Sequence, residues 1–87
     1  MYLHIGNEHV VRKSHIVAIF DLDNTSQSIQ TRRYLSRCEK EGRVINANGF
    51  ELPKSFVVCA DEDGQRVYLS QLNSSTLLRR SEQRGIE

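Results

Sequence analysis

The sequence alternates between short apolar runs and polar turns, which predicts several short strands interrupted by two helices. The longest apolar run, Ile16 to Phe20, is mostly β-branched or aromatic and has polar residues on both sides. A run of this kind is typical of a strand that is buried on both faces. We therefore expect residues 16–20 to form the central strand of the fold.

Polar turns on both sides of this run predict two β-hairpins. Residues 2–5 and 9–12 are strand-like and flank a turn that contains Gly-Asn. Residues 55–60 and 65–70 are also strand-like, and the turn between them, Asp61 to Gly64, ends in Asp-Gly. Both dipeptides are common in tight turns, so we expect each pair of runs to form an antiparallel hairpin.

The sequence also predicts two helices, with a brief strand and a loop between them. Residues 26–41 are rich in helix-tolerant residues, and they follow possible capping residues at Asn24, Thr25 and Ser26 and precede Gly42. Residues 76–84 follow the capping sequence Asn73-Ser74-Ser75 and precede Gly85.

Between the two predicted helices, Val44-Ile45 predicts a brief strand, and residues 46–54, which contain Asn-Gly and the only proline, predict a projecting loop. The fold class expected is α+β, with a small antiparallel β-sheet and two α-helices.

The length and composition indicate one small globular domain over residues 1–87. With 87 residues, of which 38% are hydrophobic and 26% charged, the chain is long enough for only a thin core. Self-association would add to that core. The sequence contains no apolar run of the ~18 residues that a membrane span needs, and no signal-peptide pattern at its start. We therefore expect a cytoplasmic protein without a membrane partner.

The potential metal ligands do not form a recognisable pattern. Cys38 and Cys59 lie in predicted elements without the spacing of a zinc site, and we interpret both as buried small apolar residues. His4 and His9 flank the first hairpin, but no third ligand stands at a suitable spacing. We expect no metal site and no cofactor.

A phosphatase-like motif follows the longest apolar run. Asp21-Leu22-Asp23-Asn24-Thr25 resembles the nucleophile motif of haloacid-dehalogenase-type phosphatases, in which one Asp attacks phosphorus and the other handles the proton of the leaving group. The best match to the later acidic motif is Asp61-Glu62-Asp63, but this segment is predicted to be a hairpin tip. The enzyme hypothesis is therefore a minor alternative, namely a phosphatase-like hydrolase that uses Asp21 and Asp23, and we expect no catalytic residues and no small-molecule substrate.

Basic residues occur in three groups, although the net charge is only +1. Arg12, Lys13 and His15 lie on the short turn before the longest apolar run. Lys54 lies in the projecting loop. A third group lies on the first predicted helix and consists of Arg32, Arg33, Arg37 and Lys40. Each group could bind phosphates, but in a chain of nearly neutral charge a solvated surface explains it equally well.

Several segments together resemble the RemA/RemB family of bacterial extracellular-matrix regulators, and RemB-like members in particular. The segments are Met-Tyr-Leu-His-Ile-Gly at residues 1–6, the run from Val10 to Asp21, Pro-Lys-Ser-Phe-Val-Val at residues 53–58, and Tyr-Leu-Ser-Gln-Leu-Asn-Ser-Ser-Thr-Leu at residues 68–77. They occur in the same order and spacing as in the family and extend over nearly the whole chain.

The resemblance implies a domain similar to the LytTR-type DNA-binding fold, which assembles into a ring, binds double-stranded DNA and regulates transcription of biofilm-matrix genes. It also implies that the loops before the central strand and before the Val-rich strand contact DNA. The corresponding residues here are Arg12, Lys13 and His15 in the first loop and Lys54 in the second. Where the family has a denser basic cluster, the second loop of this chain has Phe50, Glu51 and Leu52.

The sequence therefore predicts a non-enzymatic, oligomeric DNA-binding regulator. Arg12, Lys13, His15 and Lys54 are its expected backbone contacts, and Arg32, Arg33 and Arg37 are secondary candidates. Repetition around a ring would strengthen contacts that are weak in one copy. The alternative from a different class is a ring with a structural or protein-interaction role that does not bind DNA, which is consistent with the low net charge and with Glu51.

Overall fold

The computed structural model describes residues 1–22 and 29–82, which form six strands and two α-helices. A 3₁₀ turn, Lys13–His15, joins the second strand to the third. The elements are β1 (Tyr2–Gly6), β2 (His9–Arg12), β3 (Ile16–Asp21), α1 (Ile29–Lys40), β4 (Val44–Asn46), β5 (Ser55–Asp61), β6 (Gly64–Ser70) and α2 (Ser74–Glu82).

The strands form two sheets. β1 and β2 form an antiparallel hairpin, and the other four strands form a second sheet in the order β3-β5-β6-β4. Both predicted hairpins are confirmed, and β3, β5 and β6 are antiparallel as expected. The expectation of a wholly antiparallel sheet is wrong at β4, which pairs in parallel with β6. Because α1 carries the chain across the sheet between β3 and β4, β4 runs in the same direction as β3.

The prediction that residues 16–20 form the central strand, buried on both faces, is wrong. β3 lies at an edge of its sheet, where β5 is its strand partner among the described residues, and Val17 is 62% exposed. The central, most deeply buried strand is β5, in which Ser55 to Cys59 are all buried. Both strands have similar apolar runs. β5 is enclosed because it pairs with β6 as well as with β3, and β6 lies far from β3 in sequence.

Alternate residues of β5 point to opposite faces of the sheet and enter two separate cores, as the strand geometry requires. Phe56 and Val58 pack against α1, whose Cys38 is buried in the same cluster. Val57 and Cys59 pack on the other face against the β1–β2 hairpin and Leu77 of α2. The molecule therefore has three layers, with the four-stranded sheet in the middle.

The described helices agree with the predicted ones. α1 begins at Ile29 within the described residues, while its predicted start and its predicted caps Asn24, Thr25 and Ser26 fall on residues 23–28, outside the description. α2 begins after Asn73, whose side-chain Oδ1 accepts a hydrogen bond from the backbone N–H of Thr76 at 2.8 Å. This bond confirms the predicted cap. The predicted end of the helix at Arg84, before Gly85, lies outside the described residues.

Candidate functional site

The first group of basic residues lies at an exposed corner of the molecule, on the turn between β2 and β3. Arg12 ends β2 and is exposed, and its guanidinium carbon lies 5.8 Å from the centroid of the Tyr2 ring. Lys13 and His15 are half-buried on the 3₁₀ turn, and the backbone N–H of Lys13 donates to the carbonyl of Met1 at 2.9 Å. The turn is therefore held in place by the N-terminal strand, and its cations are presented together.

An acidic turn borders this corner. Arg12 and His15 line one recess together with Asp61, Glu62 and Asp63 from the turn between β5 and β6. Arg66 lies 3.4 Å from a carboxylate oxygen of Asp61 and 3.7 Å from one of Asp63. Glu62 is exposed and makes no such ion pair within the described part of the chain, and it lines the same recess as Arg12.

Lys54 lies at the other end of the β3–β5 ladder. Ile16, next to the basic turn, is paired with Cys59, whereas Asp21 is paired with Ser55, the residue after Lys54. The separation of Lys54 from Cys59 along the chain corresponds to about 16 Å of extended strand. Lys54 is exposed. Its backbone N–H donates to the carbonyl of Ser70, and its carbonyl accepts from the backbone N–H of Leu22, at 2.8 Å each. Within one protomer, the structure does not bring the two predicted DNA-contacting loops together.

The third group of basic residues forms a continuous surface on α1. Arg32, Arg33 and Arg37 are exposed on the side of α1 that faces away from Cys38. They line one shallow surface together with Ile29, Ser36 and Lys40. None of these lining residues is acidic, which distinguishes the surface from the corner at Arg12. The structure thus gathers the secondary candidates into one cationic face.

The carboxylates of the phosphatase-like motif are not assembled into a site. Asp21 lies beside Ser55 at the start of β5, whereas Asp61 lies at the end of β5, the full length of the strand away. Because β3 and β5 are antiparallel, their carboxyl ends lie at opposite ends of the β3–β5 ladder. Asp23 falls outside the described residues. Within residues 1–22 and 29–82, no three His, Cys, Asp or Glu side chains are grouped so that they could hold a metal ion.

Both cysteines are buried, as the sequence predicts, and they are free thiols. Burial raises the pKa of the Cys59 thiol to about 11, and the neighbouring Asp61 adds to the effect. A thiol with such a pKa remains protonated near neutral pH and is a poor nucleophile. Tyr34 is also perturbed: burial and its hydrogen bond with Cys38 raise its pKa to about 12. Its hydroxyl donates to Gln65 Oε1 at 2.7 Å and thereby ties α1 to β6.

Phe50 and Leu52 are exposed apolar side chains that are not among the functional residues expected from the sequence. Phe50 and Leu52 are 110% and 85% exposed, in the loop that precedes β5. Their position in a predicted projecting loop is the signal in the sequence that identifies them, because a projecting loop exposes the side chains that it carries.

In the described part of the chain, neither helix has the length and apolar character needed to cross a membrane.

Comparisons with known proteins identify the family of this chain. The profile of a family described as RemA-like, Extracellular matrix regulatory protein A-like, matches residues 2–80. Extracellular matrix regulatory protein B of Bacillus subtilis (strain 168) is 38% identical over 82 residues, which cover 94% of this chain and 91% of that protein. Since both matches extend over most of the chain, it belongs to the RemA-like family of extracellular matrix regulatory proteins.

Proposed function

We propose that this chain is an oligomeric, DNA-binding transcriptional regulator that acts in the cytoplasm and contacts the DNA backbone through basic loops. The observation that carries the proposal is the clustering of Arg12, Lys13 and His15 on one turn at an exposed corner. Family membership supports a regulatory role rather than a catalytic one. We also propose that its fold is related to the LytTR-type DNA-binding fold.

The charge distribution favours contacts that are repeated over several copies. In one protomer, the acidic turn at Asp61 to Asp63 offsets part of the positive charge of Arg12. Lys54 lies too far away to add to the same contact. A ring would repeat each small cationic group at regular intervals, so that several weak phosphate contacts act together. Arg32, Arg33 and Arg37 are the secondary contacts in this proposal.

Contacts to phosphates would dominate over contacts to base edges. The basic residues of the corner occupy a short turn, whereas base readout in the major groove usually uses a helix or a β-ribbon that enters the groove. Phosphate contacts position a protein on DNA without reading its sequence. Any preference among DNA sites is therefore expected to come from DNA shape and flexibility.

The experiment is a salt titration of binding to a random DNA duplex. The logarithm of the association constant should fall linearly with the logarithm of the salt concentration, and Lys13→Ala or Arg12→Ala should reduce the slope by about 1 for each phosphate that a bound copy no longer neutralises. Arg79→Ala is the matched control, because it removes one exposed positive charge from α2. A slope near zero, or equal slopes for all these variants, would contradict the proposal.

A second candidate function is a ring that binds proteins and not DNA. It is favoured by the exposed Phe50 and Leu52 and by the carboxylates that border the basic corner. A gel shift at low salt separates the two functions, because non-specific DNA binding is strongest there. No shift with an oligomeric protein at micromolar concentration would favour the protein-interaction ring.

A further inference from the structure

A crevice lies between the β1–β2 hairpin and the end of the four-stranded sheet that carries the β5–β6 turn. Cys59 packs toward the hairpin, and Asp61 points to the same side of the sheet because alternate residues of a strand share a face. Arg66 also lies on this side, since it is the cross-strand partner of Cys59. The sheet therefore presents charged side chains beside the core that it shares with the hairpin.

The crevice is small and partly apolar. It has a volume of about 190 Å³, and its lining includes Val10 and Val11 from the hairpin and Tyr68 and the buried Cys59 from the sheet. The ring of Tyr68 is held edge-on against the ring of His9, with the two centroids 6.2 Å apart. Sites for drug-sized ligands usually have ~300–1,000 Å³, so this crevice suits a group no larger than a single ring.

The crevice adjoins the recess at the basic corner. Arg12, His15 and Asp61 line both cavities, and the recess adds the carboxylates of Glu62 and Asp63. The two cavities therefore form one site, in which an apolar inner part has a charged mouth.

Some of the charges at this mouth are paired and others are not. Arg66 lies 3.4 Å from a carboxylate oxygen of Asp61 and 3.7 Å from one of Asp63. By contrast, neither Arg12 nor Glu62 makes an ion pair with any residue that the structure describes, although both line the recess. One positive and one negative group thus face the same space without forming a pair.

Two separate elements hold these two groups. Arg12 ends β2, and its guanidinium carbon lies 5.8 Å from the ring centroid of Tyr2, its cross-strand partner in β1. Glu62 lies on the β5–β6 turn, where Oδ1 of Asp61 accepts a hydrogen bond from the backbone N–H of Asp63 at 2.8 Å. Because the hairpin carries the positive group and a braced turn carries the negative one, a ligand in the recess meets both.

This charge pattern distinguishes among classes of small ligand. An anion attracted by Arg12 is repelled by Glu62, and a cation attracted by Glu62 is repelled by Arg12, so the two effects oppose each other. A molecule that carries both charges gains both attractions. If it also has an apolar part, that part fills the crevice next to the charged mouth.

We propose that this site binds an α-amino acid with an apolar or aromatic side chain. The carboxylate contacts Arg12, the ammonium group contacts Glu62, and the side chain occupies the crevice beside Val11 and Tyr68. Binding of the amino acid is independent of the proposed function. Its consequence rests on that function: a bound amino acid covers Arg12 and thereby weakens the contact with DNA.

The test is a titration of the isotope-labelled full chain with L-phenylalanine, followed by NMR. The backbone amide signals of Val11, Arg12, Glu62 and Tyr68 should shift in a saturable manner. Phenylpropionate lacks the ammonium group and phenethylamine lacks the carboxylate, so each should bind more weakly than phenylalanine, by up to about fivefold for one exposed ion pair. Glycine, which has no side chain to fill the crevice, should also bind more weakly.

Two variants assign the charges of the ligand to their partners. Arg12→Gln should bind phenylalanine and phenethylamine equally, because the carboxylate then has no partner. Glu62→Gln should bind phenylalanine and phenylpropionate equally, for the corresponding reason. Arg79→Gln, which removes an exposed charge from α2, is the matched control and should keep both preferences. Each comparison is made within one variant, so a general loss of stability does not imitate the expected result.

The contrary outcomes are distinguishable. Phenylalanine that causes no saturable shift, or that binds no better than either analogue, overturns the proposal, and preferences that persist in both variants overturn the assignment to Arg12 and Glu62. If phenylalanine binds as expected but leaves the salt titration of DNA binding unchanged, only the regulatory consequence is wrong. A chain that binds phenylalanine but no DNA supports this site and contradicts the proposed function.

Discussion

At the scale of single residues, Ser70 joins the two sheets of the molecule. Its fully buried hydroxyl donates to the backbone carbonyl of Ile5 and accepts from the backbone N–H of Leu72 at 3.0 Å. The register of β1 and β2 shifts between His4 and Gly6, so Ile5 lies in an irregularity of the hairpin ladder. A side chain from the other sheet thus supplies a partner to a carbonyl at a point where the ladder is interrupted.

We expect Ser70→Ala to lower the free energy of unfolding by roughly 1–3 kcal/mol, because it leaves buried backbone groups without their hydrogen-bond partner. Chemical denaturation followed by circular dichroism measures the change. Ser36→Ala is the control, since Ser36 is exposed on α1 and alanine is a better helix former. Equal stability of Ser70→Ala and the wild-type chain would show that water or a shifted backbone replaces the bond.

Close packing at the same junction explains a glycine in β1. Gly6 has a φ of 136°, which side-chain-bearing residues rarely adopt. A Cβ at this position would also collide with the carbonyl oxygen of Ala47 and the side chain of Gln71. The absence of a side chain at Gly6 therefore allows the hairpin to lie directly on the segment that follows β4.

At the scale of elements, α2 shows how a short helix is stabilised from its first turn. Oδ1 of Asn73 accepts from the backbone N–H of Thr76 and from the hydroxyl of Ser75, both at 2.8 Å. Leu77 is fully buried and contributes to the core that includes Leu3, Ile5 and Val57. A helix of only nine residues is marginal by itself, so the cap and this contact together hold it on the sheet.

We expect Asn73→Ala to destabilise the domain by about 1 kcal/mol, the usual loss for an N-cap. Asn73→Asp should retain most of the stability, because a carboxylate oxygen accepts the same bond and is favoured at a helix N-terminus. Thermal unfolding of the two variants at equal concentration distinguishes these outcomes. Similar losses for both would indicate that the amide group of Asn73 has another role.

At the scale of the whole molecule, the distribution of charge matters more than its near-zero sum. The carboxylates of the β5–β6 turn share a recess with Arg12 and His15, while Arg32, Arg33 and Lys40 lie on a surface of α1 whose lining includes no acid. The structure therefore combines a partly neutralised basic corner with a cationic face that has no acidic residue among its described lining residues. Under the proposed function, the acidic turn weakens the attraction of the corner for phosphate.

We expect Glu62→Gln to strengthen DNA binding by a few-fold at low salt, because it removes an exposed negative charge beside Arg12. The gain should disappear at high salt, where exposed charges are screened. Glu82→Gln, which makes the same change on α2 outside this recess, should have a smaller effect. Equal gains for both variants would mean that only the net charge matters and that the position of the acidic turn does not.

Local patterns in the sequence determined the identity of most elements. The two turns with Gly-Asn and Asp-Gly predict the two hairpins, Asn73 predicts the start of α2, and the apolar character of Cys38 and Cys59 predicts their burial. Each of these features depends on residues that are close in sequence, so the chain itself encodes them. The grouping of Arg12, Lys13 and His15 on one turn was predictable for the same reason.

Only the tertiary structure decided how distant segments meet. It placed β5 rather than β3 at the centre, made β4 parallel to β6, and put Lys54 at the far end of the β3–β5 ladder from Arg12. It also brought the acidic turn beside the basic corner. The physical reason is that an apolar run indicates a strand, but the burial of that strand and its position in a sheet depend on pairing between segments far apart in the chain.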